Sequence, residues 1–159
     1  MAAMRAAPFL PLPALALCMA CAGPVPAAPC TPAAVQEIVW EQDCNGCPQG
    51  LRLRFGRDGH ALLTATGKAR LRTTDREQPA PLAPSDFDRL ARELAGAGLF
   101  QLAALHEEPG LADGRWTRWQ ASCAGCAHEV FRREAAGPPA LDRLDAIVEA
   151  WRRRLWPGP

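Results

Sequence analysis

Two Cys-x-x-Cys elements constrain this chain more than any other feature of its sequence. Cys44 and Cys47 enclose Asn-Gly and are followed by Pro48, and Cys123 and Cys126 enclose Ala-Gly far downstream. In both elements the surrounding pattern indicates a turn. The state of these four thiols, as disulfides, metal ligands or redox centres, decides what kind of protein the chain is.

The N-terminal 27 residues have the layout of a secretory signal peptide. A basic residue, Arg5, precedes an apolar and charge-free run over residues 9–22, and small residues follow. The run is short and contains prolines, so it is a poor membrane span, and an uncleaved anchor is the weaker interpretation. We therefore predict a signal peptide over residues 1–27, with cleavage after Ala22 or Ala27.

Two further cysteines lie at the end of this apolar run, where a bacterial lipoprotein carries its acylated Cys. Neither Cys18 nor Cys21 has a good lipobox, because Leu17 is bulky and the residue three positions before Cys21 is unsuitable. A lipid anchor at Cys21 or Cys18 is the alternative to ordinary cleavage. It is the only membrane contact that we expect.

Export places the chain in the periplasm or outside the cell, where disulfides form and persist. The chain has 18 Lys and Arg against 17 Asp and Glu. Arg5 is the only charged residue of the predicted signal, so the rest is neutral and nothing indicates a nucleic-acid partner. An odd number of cysteines follows the signal, and Cys30, in a Pro/Ala-rich leader over residues 28–32, is predicted to be the unpaired one.

Alternating apolar and polar residues predict an antiparallel sheet. A meander of about four strands is expected at residues 35–40, 51–55, 60–66 and 69–73. The turn chemistry of Gly56 to Gly59 joins the second and third strands as a hairpin. A late hairpin over residues 115–122 and 127–133 has the second cysteine pair as its turn.

Two helices complete the predicted fold. The first begins near Ser85, and the second follows residues 137–139. Their apolar residues recur at helical spacing: Phe87, Leu90, Ala91 and Leu94, then Leu141, Leu144, Ile147, Val148, Trp151 and Leu155. We therefore predict one α+β domain over residues 33–156, an antiparallel sheet of four to six strands covered by two α-helices.

The chain resembles a family of exported bacterial domains of unknown function, often found on lipoproteins. The likeness is carried by the Cys-containing turn ending in Cys47-Pro48, the alternating strand after it, the Asp58-Gly59 hairpin, and a helix followed by Leu99-Phe100. It implies the fold and an exported location and no known activity. The second pair, Cys123 and Cys126, departs from the family pattern.

Structural disulfides are the first interpretation of the cysteines, because an oxidising compartment favours them. We predict that they involve Cys44, Cys47, Cys123 and Cys126, with three possible pairings. Joining Cys47 to Cys123 would close roughly 75 residues, worth about 4.5 kcal/mol, against about 2 kcal/mol for Cys44 to Cys47. The longer link requires the two turns to lie side by side, and we predict that they do.

Two other interpretations of the cysteines remain open. The same four thiolates, from Cys44, Cys47, Cys123 and Cys126, have the spacing of a structural Zn²⁺ site. A thiol–disulfide oxidoreductase is the third interpretation, but such enzymes place the motif at a helix N-terminus. Strands follow both pairs in this chain.

No other residues indicate catalysis. Ser85 and Ser122 have no His or Asp arrangement around them, and Asp86 and Asp88 suit the first turn of a helix. We therefore predict a non-enzymatic cell-envelope domain with no cofactor, structural or binding in role, stabilised by disulfides. Its envelope partner or ligand is left open by the sequence.

Overall fold

A computed structural model describes residues 30–111 and 113–158. The predicted signal peptide of residues 1–27, with Cys18 and Cys21, lies outside the described residues. The last three leader residues, 30–32, are described and lie two residues before the first strand, which begins at Val35.

Seven strands form a single sheet in the order β4-β3-β2-β1-β6-β7-β5. In chain order they are β1 (Val35–Cys44), β2 (Gly50–Gly56), β3 (His60–Thr66), β4 (Arg76–Pro81), β5 (Leu105–His106), β6 (Arg115–Cys123) and β7 (Cys126–Arg133). All neighbours are antiparallel except β5, which runs parallel to β7. The α+β prediction is confirmed, although the sheet has one strand more than the predicted range and is mixed.

The predicted fourth strand at residues 69–73 is wrong. Ala69–Leu71 form a short 3-10 helix, and Arg72 adopts a left-handed conformation with φ 54°. The Thr73 hydroxyl accepts a hydrogen bond from the Lys68 amide at 2.8 Å, which closes this segment into a loop. Leu71 is largely exposed, so the alternating Arg and Leu residues do not mark a buried face.

The fourth strand is instead β4, which contains Pro79 and Pro81 and forms an edge of the sheet. The Leu82 amide donates to the Gly59 carbonyl at 2.9 Å. Because N–H directions alternate along a strand, the nitrogens of both prolines point to the open edge. Proline is tolerated there because no ladder hydrogen bond is lost.

Two helices, α1 (Pro84–Gly96) and α2 (Ala140–Leu155), pack on one face of the sheet. Pro84 opens α1 at the first helical position, a place that proline favours, so the helix begins one residue before the predicted cap, Ser85. The predicted stripes are confirmed for the residues that α1 and α2 bury, namely Phe87, Leu90, Ala91, Leu94, Leu141, Leu144, Val148 and Trp151. The other two predicted residues, Ile147 and Leu155, are half-buried and pack against the core.

The two faces of the sheet differ in chemistry. Trp40 of β1 lies opposite Trp119 of β6, and both are buried beneath the helices. The other face carries ion pairs. The most buried carboxylate on that face belongs to Glu41, which pairs with both Arg52 and Arg118. Strand alternation therefore separates an apolar, helix-covered face from a charged one.

Candidate functional site

The two cysteine turns lie at opposite ends of the sheet. In the pairing of β1 with β6, Cys44 is opposite Arg115, whereas Cys123 is opposite Val35. The length of β1 therefore separates the turns, roughly 30 Å at about 3.3 Å per residue. This corrects the predicted junction between the turns. It also rules out a single Zn²⁺ shared by Cys44, Cys47, Cys123 and Cys126.

The first turn closes on itself through a disulfide between Cys44 and Cys47, whose Cα atoms are 5.2 Å apart. The Cys47 amide donates to the Cys44 carbonyl at 3.3 Å. The Arg70 guanidinium donates to the carbonyls of Asn45 and Cys47, at 2.8 and 2.7 Å. The 3-10 segment that was predicted as a strand thus fixes the disulfide turn.

The second disulfide joins Cys123 to Cys30, with Cα atoms 5.8 Å apart and a sequence separation of 93. The prediction that Cys30 is unpaired is corrected, and so is the prediction that Cys126 is bonded, because Cys126 has the free thiol among the cysteines that the structure describes. A turn places Cys30 there, because the amides of Ala34 and Val35 donate to the Thr31 carbonyl at 2.9 and 3.1 Å. Since Val35 pairs with Cys123, the residues just before it lie beside the second cysteine turn.

A basic side chain holds this leader from the other side. The Arg57 guanidinium donates to the Pro32 carbonyl of the leader at 3.5 Å, and to the carbonyls of Ala33 and Val35, which follow the leader, at 3.4 and 2.7 Å. It also pairs with Asp88 of α1 at 2.6 Å. The position of Cys30 is therefore set by contacts with both the sheet and a helix.

Three sulfur atoms form a cluster at this end of the sheet. The Sγ atoms of Cys30, Cys123 and Cys126 all lie within 4.8 Å of one another, and the three residues are half-buried. Cys30 and Cys123 also pack against the hydrophobic core. With the disulfide reduced, three thiolates so placed could bind a soft metal ion.

A polar cleft of about 690 Å³ lies at the opposite end, beside the Cys44–Cys47 disulfide. Its walls come from the ends of β1, β6 and β7 and from the first turns of α2. The residues lining it include Gln42, Cys44, Asn45, Arg115, Thr117, Arg132, Glu134, Asp142 and Asp145.

Arg132 lines the cleft and is only 7 % exposed. Its guanidinium pairs with Asp142 at 2.7 Å and with Asp145, and it lies over the ring of Trp119, 5.5 Å from the centroid. Its Nε finds no hydrogen-bond partner among the residues that the structure describes. Arg132 is thus a buried cation neutralised by two carboxylates, and the polar groups that line the cleft around it suit the binding of a polar ligand.

The fold perturbs the pKa of Asp145 in this cleft. Burial raises the pKa of its carboxyl, and the neighbouring Asp142 raises it further. The Trp40 indole, which donates to Asp145 at 3.0 Å, and the charge of Arg132 lower that pKa. Burial is the largest of these effects, so the net direction is upward.

The remaining polar candidates have structural partners. Asp86 pairs with Arg89 and Arg154 at 3.0 and 2.9 Å, and Asp88 pairs with Arg57. The Ser122 hydroxyl accepts a hydrogen bond from the side-chain amide of Gln120 at 3.4 Å. Asp86 lies in the first turn of α1, as predicted for both residues, and the two carboxylates are engaged in ion pairs.

No protein-family model matches this chain, and no curated protein matches it either. Within residues 30–111 and 113–158, no helix is both long and apolar enough to cross a membrane. The arrangement of cysteines and the cleft therefore have to be interpreted from their own chemistry.

The two disulfides are expected to contribute unequally to stability. In a Cys126→Ser background, replacing Cys30 and Cys123 by Ser should lower the free energy of unfolding by about 4.6 kcal/mol, because that bond closes a long loop. Replacing Cys44 and Cys47 instead should cost about 2 kcal/mol. Guanidinium unfolding followed by tryptophan fluorescence measures both. Equal losses would contradict the assigned pairing.

Asp145 should give the stability of the protein a distinctive pH dependence. Because its pKa is raised from 3.8 in the fold, its contribution is full below that value and is lost as pH rises through the folded-state pKa. Asp145→Asn should remove this fall, which begins as pH rises above 3.8 and continues through the raised pKa of the folded state. Asp58→Asn is the control with the opposite sign, since the His60 amide lowers the pKa of Asp58. Identical profiles for the two variants would contradict the assignment.

Proposed function

We propose that this chain is an exported cell-envelope protein whose folded part is non-catalytic, either structural or ligand-binding, and is stabilised by disulfides. The observation that carries the proposal is that Cys30, Cys44, Cys47 and Cys123 are joined in two disulfides. Such bonds persist in the periplasm and outside the cell and are rare in the cytosol. The signal-like N-terminus and the resemblance to exported domains support the same location.

The bonds stabilise the two ends of the central strand. One ties the leader to the end of β6, and the other closes the turn that follows β1. The cleft, which Arg132 and its carboxylate partners line, therefore lies on a part of the sheet that disulfides hold rigid. A rigid cleft suits binding, because its side chains and backbone lose little conformational entropy when a ligand enters. We infer a polar, water-soluble ligand or the polar face of an envelope partner.

Export is tested by producing the full chain in a Gram-negative bacterium. The processed protein should be found in the periplasm, begin after Ala22 or Ala27, and weigh four hydrogens less than its fully reduced form. Leu15→Arg, which puts a charge into the apolar run, should keep the chain cytoplasmic and reduced. A diacylglyceryl group on Cys21 or Cys18 would establish the lipoprotein alternative.

Two results would contradict this proposal. A parent chain that stays in the cytoplasm like the Leu15→Arg variant would overturn export. Reduction of insulin disulfides by the purified protein would overturn the non-catalytic role.

A second candidate function, metal binding, is favoured by the three clustered sulfurs. It replaces the four-thiolate site of the sequence prediction with a site at Cys30, Cys123 and Cys126. Thiolates are ligands for Zn²⁺ and other soft ions. This function requires the Cys30–Cys123 bond to be reduced, so it competes with the disulfide role.

Metal binding is tested on protein reduced with a phosphine and supplied with Zn²⁺ under argon. One equivalent should stay bound through gel filtration, as measured by mass spectrometry of the metal. Cys126→Ser should abolish this retention, whereas the matched control Cys47→Ser should leave it unchanged. Equal retention by both variants would exclude the cluster as the site.

A further inference from the structure

A free thiol lies beside a disulfide where β6 turns into β7. The Sγ of Cys126 is within 4.8 Å of both sulfurs of the Cys30–Cys123 bond. A thiolate that meets a disulfide can attack one of its sulfurs, form a new bond to it and release the other as a thiolate. Since all three cysteines are half-buried, the cluster also contacts the solvent that such proton transfer needs.

The backbone already holds the alternative pair in position. Cys123 and Cys126 lie directly opposite each other at the start of the β6–β7 ladder. Opposed Cα atoms in an antiparallel pair are roughly 4.5 to 5.5 Å apart, which lies within the range of about 4.4 to 6.8 Å that disulfides span. Gly125, with φ 78°, makes the tight turn between them.

We propose that Cys30, Cys123 and Cys126 form a thiol–disulfide exchange site with two isomers. The Cys126 thiolate attacks the Sγ of Cys123, so a Cys123–Cys126 bond forms while the Cys30–Cys123 bond breaks. Cys30 leaves as a thiolate and takes up the proton that Cys126 released. One disulfide and one thiol are present before and after, and no oxidant or reductant is consumed.

The exchange moves the free thiol from the hairpin to the N-terminal leader. The Sγ of Cys30 lies 3.8 Å from the Ala121 carbonyl, which can accept a weak hydrogen bond from the released thiol. After exchange, the leader is held to the rest of the fold by non-covalent contacts, among them the Thr31 turn and the hydrogen bond from Arg57 to the Pro32 carbonyl. The isomer therefore determines whether residue 30 is covalently attached to the sheet.

The isomers are distinguished by pulse labelling of the full chain with N-ethylmaleimide, without any added thiol. Digestion after Arg and Glu separates Cys30 from Cys44 and leaves Cys123 and Cys126 on one peptide. The Cys30–Cys123 isomer gives two linked peptides with the label on Cys126. The other isomer gives an internally bridged peptide, two hydrogens lighter, and a label on Cys30. Fragment-ion sequencing in a mass spectrometer locates each label.

After incubation at mildly alkaline pH, the labelled fraction of Cys30 should exceed that in Cys126→Ser by at least tenfold. Exchange should slow by about tenfold per pH unit in acidic solution, where the thiolate fraction falls. Its rate should not change when the protein is diluted tenfold. Cys30 labelling at the level of Cys126→Ser would overturn the proposal, and so would a rate proportional to protein concentration.

A second variant tests the geometry without relying on the population of the minor isomer. In Cys30→Ser, glutathione disulfide should oxidise Cys123 and Cys126 to the internally bridged peptide. Two free thiols persisting at these positions would overturn the proposal. A label on Cys123 in the parent chain, with Cys30 linked to Cys126, would show that Cys126 attacks the wrong sulfur and would likewise overturn it.

Discussion

The antiparallel pairing of β1 with β6 determines most of what is particular to this protein. β1 is the central strand, and its register with β6 puts Trp40 opposite Trp119 beneath the helices. A slip of one residue would exchange Trp119 with Arg118 and put a charge into the core, so burial fixes the register. That register also sends Cys44 and Cys123 to opposite ends of the sheet. The cysteine chemistry is thus a consequence of core packing.

The same alternation accounts for the charged end of the core. Arg132 is two residues beyond Val130 on β7, so its side chain faces the helices rather than the solvent. A cation in that position is costly without partners, and Asp142 and Asp145 of α2 supply them. The cleft is therefore where the apolar packing between sheet and helix ends and a paired polar cluster begins.

The elements that the sequence predicts well are those whose pattern reflects one-sided burial. The helix stripes and most strands belong to this class, because their apolar spacing matches the face that the core covers. Residues 69–73 alternate in the same way, yet they form a loop, which is held by the ion pair of Lys68 with Asp43 of β1 and by the hydrogen bonds from Arg70 to the first cysteine turn. Alternation does not distinguish a buried strand from an exposed basic segment.

The pairing of Cys30 could not be predicted because it depends on a turn and a register rather than on a motif. Spacing alone suggested that the two Cys-x-x-Cys elements act as a matched set. The fold instead separates the two elements. The Thr31 turn places Cys30 beside Cys123, whereas the first cysteine turn lies at the other end of the sheet. Only the first pair behaves as its spacing suggests, closing on itself.

The disulfide that constrains the chain most is also the one with a thiol beside it. In the unfolded chain, the four-residue loop of Cys123–Cys126 is easier to close than the long loop of Cys30–Cys123, by about 3 kcal/mol. The fold must offset that difference to favour the long-range bond, and the Thr31 turn and Arg57 are contacts that do so. Anything that loosens the leader therefore shifts the equilibrium toward the local bond. The choice of disulfide isomer and the docking of the leader on the sheet are therefore coupled equilibria, and each shifts the other.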